Sequence, residues 1–139
     1  MQSYLLWALL ALVGYSLFTP LAEIATKQVP STVVALVANS MLALSALAVV
    51  LLRRENPFAY AGSDVFPHML AAGVFLSVGI LAYYRALSQG PITVVVPIFG
   101  LFIVTSSAIG FLFLGDEFSA RKGAGILLAA VAIYLTVTG

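Results

Sequence analysis

Five stretches of apolar residues, at about 4–26, 31–52, 66–87, 92–114 and 120–138, alternate with short polar breaks along the chain. A bilayer's hydrocarbon core is about 30 Å thick, so at about 1.5 Å per residue a crossing helix needs roughly 20 apolar residues. Each stretch meets that length. The pattern predicts an all-α protein: a polytopic membrane helical bundle with five transmembrane helices. An odd number of crossings leaves the two ends of the chain on opposite sides, and such a unit can meet a second copy of itself upside down.

The breaks carry turn chemistry. Gln28-Val29-Pro30-Ser31 ends one helix and starts the next, with Ser31 placed to cap it. Residues 53–67 form the longest connection, where Asn56-Pro57 and Gly62-Ser63-Asp64 are turn formers. Ser88-Gln89-Gly90-Pro91 reads as a stop followed by a start, with Gly90 suited to the position after a helix and Pro91 to a first turn. Gly115-Asp116-Glu117-Phe118-Ser119 is short enough to predict an antiparallel hairpin of the last two helices.

Within the helices the faces differ. Ala8, Ala11, Tyr15, Thr19, Ala22, Glu23 and Thr26 recur at three- and four-residue steps, while Leu5, Leu9, Val13, Leu17, Leu21 and Ile24 fall largely elsewhere around the first helix. The last helix carries a small-residue stripe of Gly125, Ala129, Ala132 and Thr136. Lipid offers no hydrophobic drive for association, so stripes of small residues serve close approach and dispersion contact, within a protomer or between protomers.

Composition narrows the class. Of the 139 residues 63% are apolar and 8% charged, against roughly 25% charged in soluble domains. The mean hydropathy is +1.14. The chain is expected to form a single five-helix domain over residues 1–139, with its function in the helices or their turns. A formal charge of +1 without an arginine-rich arm points away from nucleic acid. With no Cys and one His, neither a disulfide, a thiolate site nor a histidine-built metal centre is expected, and no cofactor. Residues 1–3 carry no Lys or Arg, and no A-x-A-like cleavage site follows, so the first stretch reads as a retained helix rather than a secretory signal. Arg53, Arg54, Arg121 and Lys122 fall on the side of the N-terminus, Lys27 and Arg85 on the other. That bias favours a cytoplasmic N-terminus, but by two charges only.

Ala86-Leu87-Ser88-Gln89-Gly90-Pro91-Ile92-Thr93, Val96-Pro97, Leu114-Gly115-Asp116-Glu117-Phe118 and Gly123-Ala124-Gly125-Ile126-Leu127, in that order, resemble one repeat of the EamA family in the drug/metabolite transporter superfamily. The resemblance is best from about 83 to 136; helix number and order extend it over the whole chain. It implies a secondary transporter of small metabolites or drugs, working by alternating access. Family members usually hold two such repeats, inserted oppositely, with substrate near the midplane between them. A single repeat then implies a partner, most simply a second copy forming an inverted homodimer. Where related repeats often have an Arg in the second helix this chain has Asn39, so no substrate class carries over. The expected location is the cytoplasmic membrane of a prokaryote. The alternatives are one half of a heterodimeric transporter and a membrane scaffold or assembly subunit with no cargo.

Candidate residues for a substrate or proton pathway are Tyr15, Thr19, Glu23, Asn39, Tyr83 and Tyr84. Glu23 is the one carboxylate in a helix, where ionisable groups are costly and tend to be functional. Lys27, four residues on, equally makes it half of an interfacial ion pair. Asn39 suits a substrate contact or a bond between helices, and the tyrosines suit a cavity or an interfacial belt, with Arg85 snorkelling. Pro97 frees the carbonyl of Thr93 and Gly100 follows, so the pair reads as a hinge or as a packing adjustment. His68 and Trp7 read as interface residues. No Walker loop or nucleophile beside a base is present, so the chain reads as a non-enzyme whose transport, if any, draws on a gradient.

Overall fold

The computed structural model describes residues 3–139, with side chains from Tyr4 onward. It contains α1 (Ser3–Gln28), α2 (Ser31–Leu52), α3 (Phe66–Gln89), α4 (Ile92–Gly100), α5 (Phe102–Phe113) and α6 (Ala120–Thr138), with no strand among the described residues. Helices α4 and α5 together form one span, Ile92–Phe113, so five spans among the described residues are long and apolar enough to cross a membrane. Fold class and the number of spans are as the hydrophobic pattern predicts, the fourth span being divided into two helices. A helix satisfies its backbone polar groups internally, which hydrocarbon demands of any spanning segment.

The helix ends differ from the expected caps. Pro30, not Ser31, occupies the N-cap of α2, with φ −51° and ψ 131° and no side-chain bond; Ser31 is the first helical residue and is buried. The Pro30 carbonyl instead accepts from Val33 N at 2.9 Å and Val34 N at 3.2 Å. Pro91 likewise precedes α4 as its N-cap rather than lying in the first turn. Among the described glycines positive φ occurs at Gly115, 76°, and not at Gly90. Left-handed backbone is favourable for glycine, and here it turns the chain after α5, where Leu114 N and Asp116 N both donate to the Gly110 carbonyl at 3.2 and 3.1 Å. Ser119 then caps α6, its Oγ accepting from Lys122 N at 3.2 Å. In the connection after α2, Asn56 Oδ1 accepts from Phe58 N at 3.0 Å and starts a 3-10 turn, Pro57–Tyr60.

The fourth span is broken one turn beyond its proline. Pro97 lies inside α4, and the interruption comes at Leu101, whose N–H donates to Ile98 O at 3.1 Å in a three-residue step before α5 begins. An i→i−3 step inside a span marks a local break in the α-helix, here beside a proline and a glycine, where helix kinks concentrate.

Tertiary contacts divide the chain into two units, Met1–Gln89 and Gly90–Gly139. In the first, α3 packs against both α1 and α2, which also touch one another. Its buried side chains are Thr19, Ala22 and Thr26 of α1, Ser31 and Ala35 of α2, and Tyr83, Tyr84 and Leu87 of α3. All lie at the end where α1 and α3 finish and α2 starts. Residues 4–17, 40–49 and 67–79 are exposed throughout. The small and polar stripe of α1 is therefore buried only in its second half. In the other unit, α6 packs against α4 and α5, and Gly110 is buried. Outward Leu, Val and Phe side chains suit a lipid surroundings that is as apolar as they are.

Leu87 is 0% exposed and Leu128 is 68% exposed. Leu87→Ala should open a cavity and cost on the order of 2 kcal/mol. A clear drop in melting temperature in detergent is expected, with Leu128→Ala near wild type; equal effects would contradict the placement.

Candidate functional site

Four-residue spacing puts Tyr15, Thr19 and Glu23 on one face of α1. Thr19 is buried and donates through Oγ1 to the Tyr15 carbonyl at 2.8 Å, which satisfies its hydroxyl proton within its own helix. Its oxygen still accepts, and Tyr83 OH of α3 reaches it at 3.4 Å. Tyr84 is 2% exposed and packs edge-on against Phe18 of α1, with ring centroids 5.7 Å apart at 78°. Phe18 in turn meets Tyr15 edge-on at 5.9 Å. Edge-to-face pairs align the positive rim of one ring with the negative face of the next. Tyr15 itself remains 57% exposed, at the margin of this cluster.

Glu23 lies one turn further along α1. Its Oε1 accepts from Lys27 Nζ at 2.5 Å, and its carbonyl accepts from Thr26 Oγ1 at 3.1 Å. The side chain of Glu23 is 15% exposed and that of Lys27 51%. The pair thus holds the carboxylate toward the helix bundle while the ammonium reaches outward, as snorkelling predicts. A solvated pair of this spacing contributes only about 0.2–0.5 kcal/mol, so its consequence is the fixed direction of the carboxylate rather than stability.

Asn39 is elsewhere. It lines a groove of about 630 Å³ between α2 and α3, together with Thr32, Ala35, Gly73 and Ser77 among others. The structure therefore brings Thr19, Tyr83 and Tyr84 together, with Tyr15 and Glu23 along the same helix, and puts Asn39 in a separate recess. Two residues missed by sequence reasoning matter here. Phe18 links Tyr15 to Tyr84; its position four residues before Ala22, on the same side of the helix, was the available signal. Pro20 lies inside α1 next to Thr19 and removes the donor that would otherwise reach the Ser16 carbonyl.

In the second unit, a Cβ added at Gly100 would lie 3.7 Å from Ile133 Cδ1, an ordinary contact between α4 and α6. Pro97 is half-buried in α4. Gly125 and Ala129 line a recess of about 370 Å³ with Ile103, Ser107 and Phe111 of α5. A Cβ at Gly125 would meet nothing within 4 Å, and Ala132 is exposed. The stripe thus leaves an open surface on this unit. Tight approaches lie outside the stripe: at Gly110, against the Asp116 carboxylate, and at Gly123, where a Cβ would lie 2.8 Å from the Phe118 ring, itself edge-on to Phe111 at 5.3 Å. Trp7 and His68 are exposed.

The sequence profile of the EamA-like transporter family matches residues 2–138. Among curated proteins, the chain is 27% identical over 139 residues to one from Sinorhizobium sp named an uncharacterized transporter in the cobO 3' region, with 98% of each chain covered. No solved structure matches.

The Tyr83 to Thr19 bond is long, so Tyr83→Phe should cost less than about 1 kcal/mol, in line with bonds between membrane helices. Tyr84→Ala empties a filled position and should cost several-fold more. Thermal melting of both variants in detergent checks the contrast, and a Tyr83→Phe loss as large as that of Tyr84→Ala would contradict it.

Proposed function

Because the chain belongs to the EamA-like transporter family, we propose that it is a half-size secondary transporter of small metabolites or drugs, working by alternating access as an inverted homodimer. Family and spans together make it an integral membrane protein of a small-molecule transporter family. The observation that carries the finer reading is the count of five spans in a single repeat. One copy leaves its ends on opposite faces, so a second copy in the reverse orientation supplies the symmetry that alternating access uses. Four basic residues on one side against two on the other leave both orientations accessible. The named relative, a transporter covered over 98% of its length, is consistent with a single repeat.

In this reading residues 1–139 act as one five-helix domain in the cytoplasmic membrane of a prokaryote. Tyr15, Thr19, Glu23, Tyr83 and Tyr84 line the substrate and proton pathway, and Asn39 contributes to substrate contact from the neighbouring recess. Glu23 exchanges the proton, its carboxylate directed by Lys27. Pro97 and Gly100 bend the fourth span as access alternates, and Gly125, Ala129 and Ala132 face the second copy. The open surface beside Gly125 supports that last assignment.

Two outcomes test the reading. A C-terminal tag should be reachable from both sides of the membrane; a single orientation for every copy, with no oppositely inserted partner, overturns the inverted dimer. Glu23→Gln keeps size and hydrogen-bonding capacity and should fold normally, yet abolish proton-driven uptake or efflux in reconstituted vesicles. Wild-type rates and pH dependence in that variant would return Glu23 to a surface ion pair.

A further inference from the structure

The tyrosine part of the proposed pathway is packed closed in this conformation and offers no ready-made recess for a solute. Tyr84 and Leu87 are 2% and 0% exposed, so the cluster is filled by the protein itself. The α2–α3 groove is different: about 630 Å³ falls in the range of small-molecule sites. Asn39 lies about 12 Å from the start of α2, and Ser77 stands halfway along α3, so the groove sits at mid-depth in both helices.

Its chemistry is selective. Leu36, Leu42, Leu76 and Ile80 supply apolar walls, and no lining residue is charged. Asn39 Nδ2 donates to Ala35 O at 2.8 Å, which occupies one N–H; among the described residues no donor reaches Oδ1. Ser77 Oγ donates its proton to Gly73 O at 2.7 Å, so its lone pairs are what it presents. Two acceptors thus face a recess at a depth where hydrocarbon cannot satisfy them and an unpaired amide is costly. An acyl chain brings no donor. A charged group would find no counter-charge there.

We propose that this groove binds an uncharged, mainly apolar solute bearing an amide N–H or a hydroxyl, whose single donor pairs with Asn39 Oδ1 or, for a differently placed donor, with Ser77 Oγ. The assignment rests on the transporter reading above and narrows its substrate to neutral amides and alcohols. Gly73 lines the recess and has open space in front of it, since a Cβ there would meet nothing within 4 Å, so a larger side chain at this position would project into the groove.

The test uses the full chain in lipid nanodiscs and three single-ring probes: acetanilide as the neutral amide, phenylacetate as the anion and benzyltrimethylammonium as the cation. Saturation-transfer NMR titration should show acetanilide binding to wild type and the two ions binding at least tenfold more weakly. Asn39→Leu should weaken acetanilide about tenfold, the worth of one hydrogen bond. Asn39→Gln should recover part of it, and Gly73→Leu should fill the groove and remove binding. Melting temperature and helix content report folding; were Asn39→Leu to misfold, Ser77→Ala and Gly73→Leu carry the same comparison. No acetanilide binding, equal binding of the ions, or acetanilide binding indifferent to both Asn39→Leu and Gly73→Leu would overturn the site, as would phospholipid retained in the groove in place of the probe. Acetanilide bound through Asn39 but never carried across a vesicle membrane would sink the transport reading and leave the site standing. Carriage of a charged solute unaffected by Asn39→Leu would do the reverse.

Discussion

Hydrocarbon offers no hydrogen bonds, and that constraint organises the molecule. It forces the backbone into helices, and it also decides what polar side chains can do. Ser16, Thr19, Ser45, Ser77 and Thr136 each donate to the carbonyl four residues back at 2.7–2.8 Å. A hydroxyl satisfied within its own helix can face lipid, a neighbouring helix or a recess at little cost. The spans therefore carry many small polar groups without needing a polar partner for each. Asn39 departs from this pattern because a carboxamide has more bonding capacity than one carbonyl takes up. Pro20 and Pro97 depart in the other sense, each withdrawing a backbone donor, and the span holding Pro97 is broken one turn later by a three-residue step at Leu101.

Packing in the first unit is concentrated where α1 and α3 end and α2 begins. Lipid and Leu are equally apolar, so burial alone stabilises little; what draws these helices together is dispersion between fitted surfaces and a few polar contacts. Ala22, Ala35 and Ser31 allow the approach, and Phe18, Tyr84 and Leu87 fill it. Away from that end the same helices leave a recess between α2 and α3. A filled node beside an open recess separates two tasks that one polar stripe on α1 suggested were a single task.

Helix number and most helix limits were legible in the chain, because span length and apolar run length are the same physical quantity. Caps were less so: Ser31 and Pro30 are adjacent, and only the geometry of the turn decides which one precedes the helix. Gly90 and Gly115 look alike in sequence, but of the two only Gly115 has the left-handed backbone, at the turn where Leu114 N and Asp116 N both fold back onto the Gly110 carbonyl. Side-chain partners were the least legible. Periodicity puts Tyr15, Thr19 and Glu23 on one face without saying that Tyr83 and Tyr84 come to it through Phe18, or that Asn39 faces a different neighbour. The small stripe at Gly125 reads as a packing surface from sequence, yet its own unit leaves it open.

The central claim is that two oppositely inserted copies make one functional assembly. The most direct test fixes orientation. One variant receives added lysines beside Arg53 and a second receives Gln28→Lys and Gln89→Lys, so that each inserts one way only. The two are labelled with different fluorophores and measured for energy transfer in the intact bilayer. Strong transfer when both are present, and background transfer when either is present alone in two colours, is the result the account predicts. Equal transfer within either single-orientation population would contradict it.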